Sequence, residues 1–73
     1  MKKLNTIMSR VLGIPENKVG DDLTREDTPE WDSFNHLMLV SEIEKEFGVE
    51  IPMSEIEHIQ SYKDLEKIVS ENV

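Results

Sequence analysis

Asp32 and Ser33 stand directly before a helix-period run, Phe34-Asn35-His36-Leu37-Met38-Leu39-Val40, so a carboxylate and a hydroxyl fall where a helix is expected to begin. The first N–H groups of a helix lack intrahelical partners, and the summed peptide dipole makes that end positive. A phosphate esterified to a serine there lies in a favourable field. Taken alone the dipeptide is weak evidence, because Asp and Ser cap helices whatever a protein does. His36 follows Ser33 by one turn, which raises a second chemistry: a Ser–His nucleophilic pair with Asp32 as third member. Against it, Asp32 cannot readily orient His36 across a helix start, no oxyanion donors are evident, and so small a chain has no room for a substrate cavity. Otherwise His36 is expected to pack beside a group carried on Ser33 or to face solvent.

The remaining candidates are weaker. His58 has neither a second His nor a suitable carboxylate beside it and is expected to be exposed rather than a metal ligand. A calcium loop opening at Asp21 fails, since its third, fifth and sixth positions would be Leu23, Arg25 and Glu26. With no cysteine there is neither a disulfide framework nor a thiolate metal site, so any thiol chemistry must come from a cofactor. Trp31 is expected to anchor the preceding loop in the core, with flanking a group on Ser33 as the alternative.

Leu4, Ile7, Met8, Val11 and Leu12 form one helical stripe, closed by Gly13 and Pro15. Across residues 16–30 the periodicity fails and turn formers and acids dominate, with Thr24 and Thr28-Pro29 able to start only brief helical turns. So long a connection is expected to be ordered through Val19, Leu23 and Trp31. A second helix should run from Ser33 to Phe47 with Leu37, Val40, Ile43 and Phe47 inward and Leu39 widening the arc, and end at Gly48. Val49-Glu50-Ile51-Pro52 alternates like a strand but has none to pair with, so it is expected to be an extended connector plugging the core with Val49 and Ile51. Ser54-Glu55-Ile56-Glu57 reads as a capping box for a short third helix. Ser61-Tyr62-Lys63-Asp64 resembles one for a last helix using Tyr62, Leu65, Ile68 and Val69. The expected fold is all-α, a small antiparallel four-helix bundle with a short third helix and a long loop between the first two, in one domain over residues 1–73.

A domain of 73 residues buries only about 60% of the surface its unfolded chain exposes, which favours presenting a group over enclosing one. The charge of −8 is uneven: residues 1–15 carry +3, while residues 16–57 carry thirteen acids against three bases, a net −10. That surface repels nucleic acid and steers basic partner patches toward it, although simple solubility would also account for it. Lys2 and Lys3 could open a signal peptide, but Asn5, Thr6, Ser9 and Arg10 interrupt the apolar run it needs. No apolar stretch approaches the roughly 20 residues of a membrane span. A soluble, cytoplasmic protein is expected.

Asp32-Ser33-Phe34, then Glu44-Lys45-Glu46-Phe47-Gly48 closing the second helix, then Val49-Glu50-Ile51-Pro52, together resemble the acyl carrier protein family over nearly the whole chain. The resemblance implies that Ser33 receives 4′-phosphopantetheine from coenzyme A through a separate phosphopantetheinyl transferase, and that Asp32 helps that transferase bind its metal and the serine. It implies a free-standing, non-enzymatic carrier of acyl or aminoacyl thioesters, monomeric, serving loading and processing enzymes. Its second helix would dock partners, with Phe34 and Met38 as apolar contacts and Glu44 as an acid at a matching family position. Met38 could instead fill the core edge, and Glu42 and Glu46 could be merely solvated. The chain departs from fatty-acid carriers at Asn35 and Met38, where those often have acids, and at Lys45, which interrupts the acidic series. An unmodified acidic adaptor binding a partner through the second helix is the alternative.

Overall fold

The computed structural model describes residues 2–72. These form four α-helices, α1 (Lys2–Leu12), α2 (Ser33–Phe47), α3 (Met53–Ile56) and α4 (Tyr62–Asn72), with a 3-10 turn at Glu16–Lys18 and no strand among the described residues. The all-helical class and the brevity of the third helix are as expected. Leu4, Ile7, Met8 and Leu12 of α1 are buried, with Val11 at the edge of the stripe.

The inward face of α2 is the expected one at Leu39, Val40, Ile43 and Phe47 and differs only in the first turn. Leu37 is 58% exposed, and the buried residues are His36, Leu39, Val40 and Ile43, with Phe47 partly buried against them. Those positions recur at i, i+3, i+4 and i+7, a proper helical stripe once a histidine is admitted to it. Counting His36 as polar put Leu37 in its place. Gly48 closes the helix at φ 65°, its N–H and that of Val49 both donating to Glu44 O, the first at a left-handed position that suits glycine.

Val49 and Ile51 plug the core from the extended connector, as expected. The capping box at Ser54 does not form. Pro52, extended at φ −61° and ψ 149°, is the N-cap of α3 without any side-chain cap bond, and its carbonyl accepts from Glu55 N and Ile56 N. The helix therefore begins two residues early, Ser54 falls inside it, and Glu57 and His58 lie in the turn that follows, with His58 exposed. At α4, Ser61 Oγ accepts from Asp64 N at 3.2 Å, but Asp64 Oδ2 returns to Gln60 N at 2.8 Å, one residue upstream of the expected partner.

The loop over residues 13–32 is ordered by pairing rather than helix. Arg25 N donates to Gln60 O at 2.8 Å and Tyr62 N to Leu23 O at 3.0 Å, an antiparallel bridge of Thr24 with Ser61 that ties the loop to the start of α4. Thr24 Oγ1 accepts from Asp27 N, and Thr28 Oγ1 donates to Thr24 O. These threonines hold non-helical turns, and the helical turn lies instead after Pro15. Val19 and Trp31 are buried and Leu23 packs against the core, so the loop reaches Asp32 along a fixed path.

Candidate functional site

Asp32 is the N-cap of α2 and Ser33 its first helical residue. Asp32 Oδ1 accepts from Asn35 N at 2.8 Å, which satisfies one of the orphan donors of the first turn. Asn35 Nδ2 donates to Glu30 O at 2.8 Å, fastening the same turn to the end of the loop. Ser33 is exposed, and among the described residues no hydrogen bond engages its hydroxyl. An open, largely apolar groove of about 340 Å³ adjoins it, lined by Arg25, Ser33, His36, Leu37, Met53, Ile56 and Glu57. An accessible hydroxyl on a helix start, with a groove at its side, suits a long phosphate-linked arm: the anion meets the positive end of the helix and the chain beyond it has apolar wall to follow.

His36 does not pair with Ser33. Trp31 Nε1 donates to His36 Nδ1 at 2.9 Å, so Nε2 carries the ring proton and donates to Ile56 O at 3.0 Å. Both nitrogens are spent, the ring is 6% exposed, and it stacks on Trp31 with centroids 6.1 Å apart. His36 therefore does not face solvent; it lines the groove beside Ser33 and is a buried strut joining the end of the loop to α3. Trp31, 2% exposed, is the core anchor that was expected. Among the described residues no group of three or more His, Asp or Glu is arranged to hold a metal ion.

On the outer face of α2, Phe34 is 72% and Met38 40% exposed, one turn apart, with Leu37 between them, and the exposed Met53 of α3 lines the groove together with Leu37. Met38 is thus on the solvent side rather than in the core. Glu44 is half buried and its Oε2 accepts from Ile51 N at 2.8 Å, so much of its capacity is used to hold the connector. Glu42 pairs with Arg10 of α1 at 2.7 Å, and Glu46 is exposed. The acidic series on α2 is therefore partly internal.

Sequence reasoning missed the His36 strut, the exposure of Leu37 and the presence of Arg25 in the groove. The only signals for them were a tryptophan five residues before a histidine and a single arginine within an acidic loop.

The family model for the phosphopantetheine attachment site matches residues 2–69, from the start of α1 almost to the end of α4. No helix among the described residues is long and apolar enough to cross a membrane. A match across nearly the whole chain, on a helical fold that leaves a serine hydroxyl free at the start of α2, makes this chain a member of the phosphopantetheine-attachment family of carriers, whose prosthetic group is 4′-phosphopantetheine.

Proposed function

We propose that the chain carries acyl or aminoacyl intermediates between separate biosynthetic enzymes on an arm attached to Ser33. The observation that supports this most is the exposed, unengaged Ser33 hydroxyl at the first residue of a helix capped by Asp32. When bound, the arm supplies a terminal thiol that holds cargo as a thioester, which this cysteine-free chain cannot do itself. The chain's own residues present and position. Asp32 fixes the first turn through Oδ1 and leaves Oδ2 for the transferase's metal. The stripe of Phe34, Leu37 and Met38 offers apolar contact area to partners, since leaving a leucine in solvent forgoes about 1.5–3 kcal/mol of burial. Glu44 contributes through Oε1, the oxygen not given to Ile51. Acids around this face steer basic partner patches toward it.

Intact-mass measurement after incubation with coenzyme A and a phosphopantetheinyl transferase tests the assignment. Wild type gains one phosphopantetheinyl group and Ser33→Ala gains none while keeping its fold. No gain in the wild type, or an equal gain in Ser33→Ala, overturns the reading. Partner binding that survives Ser33→Ala unchanged, with no modification of the wild type, would instead favour the unmodified adaptor.

A further inference from the structure

Arg25 is the single cationic side chain lining the groove beside Ser33. Its place is set by three bonds: its N donates to Gln60 O at 2.8 Å, its O accepts from Thr28 N at 3.2 Å, and its Nε donates to Trp31 O at 3.3 Å. Those bonds use the backbone and one guanidinium nitrogen. Among the described residues the two terminal nitrogens have no acceptor and Arg25 forms no ion pair, although the chain carries sixteen Asp and Glu. A guanidinium held by its Nε, on a half-buried residue that lines the groove, with its two terminal nitrogens unengaged, is suited to a bidentate oxoanion.

The same groove contains the oxygen on which such an anion would form. A phosphodiester at Ser33 Oγ places a negative charge next to Asp32 and in a groove whose other ionised wall is Glu57, so both neighbouring carboxylates oppose it. The positive end of α2 offsets this in part, since a helix terminus carries only about half an elementary charge. His36 cannot add to it, because its Nδ1 is an acceptor and its Nε2 proton is given to Ile56 O.

We propose that Arg25 is the counter-ion of the arm's phosphodiester: its terminal guanidinium nitrogens bind the phosphate oxygens on Ser33 and hold the near end of the arm in the groove between α2 and α3. This rests on attachment at Ser33, which the mass measurement above decides separately. The carrier then has two populations of arm, clamped and released, and an acidic or basic partner surface shifts the balance by competing for Arg25 or for the phosphate.

The test is made on the holo protein, with modification verified by mass. In wild-type protein labelled with nitrogen-15, the Arg25 terminal guanidinium resonances shift between apo and holo forms, and the phosphorus-31 resonance of the folded holo protein differs from that of the same phosphodiester in urea-unfolded holo protein, which marks the free position. Both differences diminish as salt is raised. Arg25→Gln returns the phosphorus resonance to the free position and abolishes its salt dependence, while Arg25→Lys retains part of it as a point charge. Glu57→Gln, which leaves all three Arg25 bonds intact, moves the resonance further from the free position. Unshifted Arg25 nitrogens on modification of the wild type, or identical phosphorus spectra of wild type and Arg25→Gln, overturn the proposal. The nitrogen measurement needs no variant, so it decides even if Arg25→Gln fails to fold.

Discussion

Replacing His36 with Phe separates what its ring does by shape from what its nitrogens do. Phenylalanine preserves the stacking on Trp31, close to the 6.1 Å centroid separation, and nearly the same volume, but removes both hydrogen bonds. Trp31 Nε1–H, on a side chain 2% exposed, is then a buried donor without an acceptor, which costs about 1–3 kcal/mol. Ile56 O belongs to a half-buried residue and can turn to water, so its loss adds only about 0.5–1.5 kcal/mol. The sum, about 1.5–4.5 kcal/mol, is large beside the ~4–11 kcal/mol expected for 73 residues at about 0.05–0.15 kcal/mol each. Urea unfolding followed by fluorescence is the assay, because Trp31 is the single tryptophan and is the partner being orphaned. With a slope of about 1 kcal/mol per molar for so small a chain, the midpoint should fall by roughly 1.5–4.5 M, and the emission of the folded state should shift as the indole loses its acceptor. A loss below about 1 kcal/mol with unchanged folded emission would refute the strut, since it would mean that neither bond is maintained in solution. A loss of only about 1–1.5 kcal/mol with an unshifted emission would locate the cost at Ile56 and not at Trp31.

Other substitutions address the site piece by piece. Asp32→Ala removes the acceptor for Asn35 N and should cost about 1 kcal/mol of stability, whereas Asp32→Asn keeps a capping oxygen and should leave the unfolding midpoint nearly unmoved while slowing modification of Ser33 in a mass time course. Glu44→Ala frees Ile51 N and should cost about 1–3 kcal/mol, with faster hydrogen exchange at the Ile51 amide as the local readout; unaltered exchange there would show the bond to be unimportant. Burial, then the charges of Glu66 and Asp21, raise the pKa of the Tyr62 phenol above 10.0. A raised value in the folded state means that stability is fully present below the unfolded value and falls as pH rises through it, because only the unfolded chain ionises first. Unfolding midpoints should therefore drop above about pH 10, and Tyr62→Phe, which gives up the 2.6 Å bond to Asn5 Oδ1, should lose that alkaline dependence.

Much of this was readable along the chain. The stripe of α1, the glycine stop at Gly48, the Asp32 cap and the plugging by Val49 and Ile51 are local decisions, set by period, by backbone freedom and by side chains within a few residues. The start of α3 was misjudged for a local reason too, since the extended Pro52 began the helix before Ser54 could cap it. The inward residue in the first turn of α2 was not a local decision. Leu37 and His36 compete for one inward position, and hydrophobicity favours the leucine. The histidine takes it because Trp31, arriving from a twenty-residue loop, and Ile56, arriving from the next helix, satisfy both of its nitrogens at once. The cost of burying a polar ring vanishes only when both partners are in place.

Sequence alone determined that a serine hydroxyl and its capping aspartate would begin a helix in a small acidic helical chain, because those features depend on neighbours in the chain. Tertiary structure alone decided what surrounds that hydroxyl: an outward Leu37, an inward His36, a Glu44 turned to Ile51, and an Arg25 in the groove with its terminal nitrogens unengaged. Each of these depends on residues brought together from separate elements, and hydrogen bonds between distant segments leave no period in a sequence for a reader to detect.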